Sequence, residues 1–173
     1  MTLHTSDLIK NLKTFSSKAH FDKLDLVNLT DVIDMVMNIS EKRCSSEGIK
    51  VILDIDSNVK LTCSPSGLAQ VILNLLSNSI DAIESQMDKW ISIESKISNK
   101  TLKIIITDCG GGIPDEIAEK ITQPFFSTKD PGKGTGIGLS ISLKSVEKMK
   151  GQLYYNSKSK NTQFVIEFKS FQE

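Results

Sequence analysis

The chain has 173 residues, 39% hydrophobic and 24% charged, with 21 lysines plus arginines against 21 aspartates plus glutamates. That size supports one well-buried core, and a zero net charge with lysines spread along the chain argues against nucleic-acid and membrane-surface binding. Cys44, Cys63 and Cys109 lack Cys-x-x-Cys spacing, His4 and His20 add no ligand cluster, and no stretch approaches the roughly 20 apolar residues of a membrane span, so reduced thiols in a soluble polypeptide are expected.

Residues 6–19 place Leu8, Leu12, Phe15 and Ala19 on one helical face, with lysines opposite. A second helix is predicted from Thr30, as N-cap, to about residue 47. Its apolar positions are Val32, Ile33, Val36, Met37 and Ile39, and Gly48 is its stop. Strands are expected at 49–55 and 60–63. Pro65 suits the first turn of a helix reaching about residue 88. Strands at 90–97 and 101–107 follow, joined at Ser98-Asn99-Lys100, then a glycine-rich loop at 108–114 and a short helix at 115–121. The irregular segment at 123–135, with Pro124, Pro131 and two glycines, has the length of a lid or binding loop. A helix at 136–150 and a hairpin of 152–157 with 163–169 close the chain. This order predicts an α/β fold: a two-layer sandwich with helices on one face of a mixed, mostly antiparallel sheet and the other face open.

Gly132-Lys133-Gly134-Thr135-Gly136-Ile137-Gly138-Leu139-Ser140 runs straight into a helix. Glycines at alternate positions let the backbone approach a ligand, and the helix start offers unpaired N–H groups to a phosphate. The spacing is neither a Walker A loop nor the Gly-x-Gly-x-x-Gly of a dinucleotide fold.

On the helix from Pro65, Leu68, Val71, Ile72, Leu75, Leu76, Ile80 and Ile83 form an apolar face, and Gln70, Asn74, Ser77, Asn78 and Asp81 share the opposite stripe. Solvated stripes usually carry Lys and Glu; asparagine costs a helix up to about 0.7 kcal/mol relative to alanine, which favours a ligand role, with neutral oxygens completing a Mg²⁺ shell. Asp108 ends an apolar strand beside Gly110-Gly111-Gly112, placed to accept a hydrogen bond from an exocyclic amine or to serve only as a turn residue. Phe125 and Phe126 precede Ser127, Thr128 and Lys129; paired phenylalanines are most often core, and here they could equally anchor a lid.

In this order the constellations resemble the boxes of sensor histidine kinases. Asn74-Leu75-Leu76-Ser77-Asn78-Ser79-Ile80-Asp81-Ala82 is similar to the asparagine box and Asp108-x-Gly110-x-Gly112-Ile113 to the first glycine box. Pro124 to Lys129 resembles the phenylalanine box, and Gly134-Thr135-Gly136-Ile137-Gly138-Leu139 the second glycine box. The resemblance spans about residues 26–168 and implies the Bergerat fold shared with gyrase, MutL and the heat-shock chaperone ATPases. It divides the chain into 1–22, the end of a dimerisation and phosphoacceptor helix, and 23–173, an ATP-binding catalytic domain.

The resemblance implies ATP and Mg²⁺ as cofactors. Asp108 would bind the adenine amine, within a first glycine box that also supplies Gly110, Gly112 and Ile113. Asn78 would hold the metal, and Asn74, Thr128 and Lys129 would act near the transferred group. Gly134, Thr135, Gly136, Ile137, Gly138 and Leu139 would receive the triphosphate, with Asp81, Phe126 and Lys133 completing the site. Asn74 stands where hydrolytic relatives carry a glutamate base, and an amide cannot take a proton from water at neutral pH, so transfer is expected rather than hydrolysis.

Asp81 departs from the Lys or Arg that many family members carry at its position, so Mg²⁺ would contribute the larger neutralising charge, with Lys129 and Lys133 as candidates that could equally be solvated lid residues. Neither His4 nor His20 precedes an acidic residue, so a phosphoacceptor histidine in the dimerisation domain of a parent kinase is implied, with a response regulator downstream. The expected setting is cytoplasmic, as a monomeric fragment of a homodimeric parent, without nucleic acid or direct membrane contact. An anti-sigma-type serine kinase, a non-catalytic nucleotide-binding module and a MutL-like clamp stand as alternatives.

Overall fold

The computed structural model describes residues 23–129, 134–169 and 171–172. The amphipathic segment at 6–19, both histidines, and Gly132 and Lys133 of the glycine loop lie outside them.

Strand β1 (Asp25–Asn28) leads directly into helix α1 (Leu29–Ser46). The N-cap is Asn28 rather than Thr30, which lies inside the helix: Asn28 holds the extended backbone of the strand, so helical geometry starts at the next residue. Gly48 does end α1. At φ +68° it allows two closing bonds, Gly48 N–H to the Ser45 carbonyl at 3.1 Å and Ile49 N–H to the Cys44 carbonyl at 2.9 Å.

Strands β2 (Lys50–Asp54) and β3 (Lys60–Cys63) precede helix α2 (Pro65–Ala82). Ser64 caps α2 by accepting the Gly67 N–H at 3.1 Å, and Pro65 stands in its first turn as expected. The helix ends at Ala82, six residues short of the expected 88: Ile83 is fully buried, and the residues after it close turns instead, Gln86 N–H bonding the Ile83 carbonyl at 3.0 Å.

Strands β4 (Trp90–Ser98) and β5 (Thr101–Asp108) form a hairpin through Asn99 and Lys100, both at positive φ. Short helix α3 (Asp115–Ala118), helix α4 (Gly138–Lys148), and strands β6 (Gly151–Tyr155), β7 (Gln163–Phe168) and β8 (Phe171–Gln172) complete the chain.

The main sheet has the order β2-β4-β5-β7-β6, antiparallel except for the β2–β4 pair. The two-layer sandwich is therefore observed, with one addition. A separate sheet of order β1-β3-β8 takes the 60–63 strand out of the main sheet, and β1 and β8 escape sequence reading because they are short.

Alternation sorts each strand. Ile91, Ile93, Leu102, Ile104, Ile106, Phe164, Ile166 and Phe168 face the helices and are buried with Leu68, Ile72, Leu75 and Leu76 of α2. The opposite face carries polar pairs, including Lys96 with Glu94 at 2.7 Å and Lys103 with Glu167 at 3.5 Å. Cys44 and Cys63 are free thiols in the core, and burial pushes the Cys63 thiol up to about 12, which keeps it inert. No helix among the described residues is long and apolar enough to cross a membrane.

Leu75 is 1% exposed at the centre of this core. Leu75→Ala is expected to cost about 2–5 kcal/mol by urea unfolding, whereas Met87→Ala, at a side chain 97% exposed, should fall within about 0.5 kcal/mol of zero.

Candidate functional site

The site is built where the stripe of α2, the end of β5 and the start of α4 meet. Packing of the apolar face of α2 turns its polar stripe toward α4 and the 125–129 segment. Asn74, Ser77, Asn78 and Asp81 are half-buried and Gln70 is exposed.

The Asn74 amide nitrogen donates to Ser142 Oγ at 2.9 Å, tying α2 to α4. A Cβ on Gly138 would lie 2.4 Å from Asn74 Oδ1, so any larger residue there would have to move the Asn74 amide. At that start Ile137 supplies no side-chain cap, and the first N–H groups of the helix are left for another acceptor.

Asp108, the last residue of β5, is 1% exposed. Its Oδ1 accepts the Gly110 N–H at 2.8 Å, and side-chain hydrogen bonds join it to Ser79 and Thr162. Burial pushes this carboxyl above its ordinary value, opposed by those hydrogen bonds. A Cβ on Gly110 would stand 2.7 Å from Asp108 Oδ1 and 2.8 Å from Thr162 Oγ1, so a larger residue would displace the side chains around the carboxylate. The loop is pinned by the Gly110 carbonyl, which accepts the Thr162 N–H at 3.1 Å, and by the Tyr155 hydroxyl, which accepts the Ile113 N–H at 2.8 Å.

The phenylalanine pair is not core. Phe125 is 83% exposed with φ +69°, Phe126 is half-buried and Thr128 is exposed. Phe125 N–H bonds the Gly136 carbonyl at 2.8 Å, fastening the phenylalanine segment to the glycine loop. Lys129 reaches back to α2, pairing with Asp81 and standing 3.5 Å from Asn78 Oδ1.

Gly134 packs on Ser127 and Lys129, while Thr135, Gly136, Ile137 and Leu139 are half-buried around the start of α4. Lys133 is outside the described residues.

Sequence reasoning missed Ser79, Thr162, Tyr155, Ser142 and Arg43. Ser79 left a signal, a small polar residue on an otherwise apolar helix face, and Arg43 left a stronger one as the only arginine in the chain. A groove of about 390 Å³ between β1 and α1, lined by Leu26, Val32 and Met35 among others, gathers no comparable chemistry.

A buried carboxylate folded under glycines, two asparagines one turn apart and an uncapped helix behind a glycine loop coincide with a family match. The profile described as histidine kinase-, DNA gyrase B- and HSP90-like ATPase matches residues 63–172. The chain belongs to this family. Sensor histidine kinase ZraS of Salmonella typhimurium is 34% identical over 152 residues, covering 87% of this chain and 32% of ZraS, so the chain spans about a third of that relative.

The nucleotide-free catalytic domain of histidine kinase ThkA superposes with a TM-score of 0.74 at 27% identity, covering 84% of this chain and 95% of that domain. ThkA in complex with response regulator protein TrrA gives a TM-score of 0.75 at 23% identity, covering 95% of this chain and 46% of that one. The domain is thus an ATPase domain of the sensor histidine kinase type.

Proposed function

We propose that this domain binds Mg-ATP between α2 and the 123–138 segment and donates the γ-phosphoryl group to a histidine of a dimerisation domain in its parent protein. The observation that carries the proposal is the Asp108 carboxylate, buried at the end of β5 beneath a loop of glycines, an acceptor suited to an N–H donor. An adenine amine supplies such a donor.

The residues present fit the nucleotide and its metal. Asn78 Oδ1 already faces a cation, the Lys129 ammonium, and the start of α4 lacks a cap that a phosphate would replace. The metal supplies charge neutralisation when bound. The chain's own part is positioning: Asp108, Gly110, Gly112 and Ile113 orient the base, and Gly134, Thr135, Gly136, Ile137, Gly138 and Leu139 give backbone access to the phosphates. Lys129 and Thr128 lie on the segment facing them, with Phe126 beside them, and the role implied for Lys133 falls outside the described residues. Asn74, held by Ser142, has no proton-accepting lone pair, so no residue there activates water. Catalysis then rests on alignment and electrostatics rather than on a base.

In this reading the domain is the cytoplasmic catalytic module of a homodimeric kinase whose phosphohistidine is passed to a response regulator. Mixed with labelled ATP and a separately made dimerisation domain, the chain should place acid-labile label on that partner and none on itself. Asn78→Ala should lower transfer by at least about tenfold. Acid-stable phosphoserine on a partner, or brisk ATP hydrolysis without transfer, would replace this reading with a serine kinase or a clamp ATPase.

A further inference from the structure

We propose that Asn78 and Asp81 form a two-oxygen seat for the divalent metal, filled by the Lys129 ammonium in the nucleotide-free protein, with Arg43 as the positioning residue that aims the Asp81 carboxylate. The inference rests on the nucleotide reading above and adds a second metal-facing residue and a displaceable cation to it.

Asn78 Oδ1 and Asp81 Oδ2, three residues apart on α2, both contact Lys129 Nζ. Two oxygens therefore converge on one point, and a cation occupies it. Neutral and anionic oxygens are also what Mg²⁺ takes, usually one or two from protein with phosphate oxygens and water supplying the rest.

The other Asp81 oxygen is engaged separately. Arg43 Nη2 bonds Oδ1 at 2.5 Å while Nη1 donates to Ser77 Oγ at 2.9 Å, so the guanidinium spans two acceptors one turn apart. A planar fork fixes both at once, which a point-like ammonium does not. The chain holds one arginine against twenty lysines, 21 less the one arginine, and places it here. Asp81 would otherwise add repulsion to a polyanionic ligand; Arg43 cancels that charge and leaves Oδ2 for an exchangeable cation.

The Lys129–Asp81 pair is suited to exchange. Both side chains are 32% exposed, and ion pairs so accessible to water are weak. Lys129 would yield this seat to a metal held with phosphate oxygens and would then be free to pair with the phosphates. Lys129 packs against Gly134, so this step links metal arrival to the lid segment.

The test measures, by calorimetry on the full chain, the affinity for a non-hydrolysable ATP analogue with Mg²⁺ and with chelator, and takes the ratio as the metal gain. Asp81→Asn should cut that gain by about tenfold, and Arg43→Lys should reduce it several-fold with an unchanged melting temperature. Mn²⁺ alone, titrated into nucleotide-free protein and followed by electron paramagnetic resonance, should bind several-fold more tightly to Lys129→Met than to wild type, because the seat is vacated. A metal gain that survives Asp81→Asn, or Mn²⁺ binding unimproved in Lys129→Met, overturns the seat while leaving the nucleotide reading intact. Failure of the wild-type chain to bind the analogue under either condition overturns both.

Discussion

Asp108→Asn is expected to weaken ATP binding by roughly ten- to a hundredfold while stabilising the nucleotide-free domain at neutral pH. The two effects share one cause. An amide can turn its N–H₂ toward the adenine amine, leaving two donors face to face, and an unmatched buried donor costs about 1–3 kcal/mol, each 1.4 kcal/mol being tenfold in affinity. In the folded domain the same carboxylate is 1% exposed and burial raises it above its ordinary value.

The direction of that shift fixes the pH dependence. With the folded value raised, the folded state holds a proton that the unfolded chain has released. The stability from this group is complete below the ordinary carboxylate value and is lost as pH rises through the raised one. At neutral pH an ionised, buried Asp108 therefore costs stability that asparagine does not. The melting temperature of Asp108→Asn should exceed wild type at neutral pH, and the difference should close toward acid pH. Undiminished thermal stabilisation by ATP in the variant would remove Asp108 from the adenine site.

Gly136→Ala should abolish most nucleotide binding, by about ten- to a hundredfold, with a much smaller effect on the core. Gly136 has φ +64°, and a Cβ there would lie 2.5 Å from the Phe125 carbonyl carbon and 2.8 Å from the carbonyl oxygens of Phe125 and Phe126. These are backbone atoms and cannot rotate away. Alanine must break the Phe125 N–H to Gly136 carbonyl bond or distort a segment in which Phe125 is itself at positive φ, and strain of this kind costs about 1–3 kcal/mol per residue. Phe125 is largely exposed, so the loss should appear in titrations with the ATP analogue rather than in urea unfolding. A collapsed unfolding midpoint would make Gly136 a core residue, and unchanged affinity would detach the glycine loop from the phosphates.

Much of this site was legible because helical and strand periods are local. The stripe of Asn74, Ser77, Asn78 and Asp81 opposite Leu68, Ile72, Leu75 and Leu76 follows from 3.6 residues per turn, and Asp108 at the end of an apolar strand follows from alternation. Boundaries were less legible. The N-cap at Asn28 and the end of α2 at Ala82 depend on a preceding strand and on burial of Ile83, which no short window contains. The phenylalanine pair misleads for a similar reason: hydrophobicity suggests core, but a glycine eleven residues later fastens Phe125 at the surface.

By itself the sequence determined the α/β order, the polar stripe, the strand-end aspartate and the glycine loop, because each is set by neighbours a few residues away. Tertiary structure alone decided what completes them. Ser79 and Thr162 join Asp108, Ser142 holds Asn74, Tyr155 pins the loop at Ile113, and Arg43 with Lys129 converges on Asp81. Those partners lie 29 to 68 positions apart along the chain. Side chains so distant meet only when the apolar faces of α1, α2 and α4 have been buried against the sheet, and that burial is a property of the whole core.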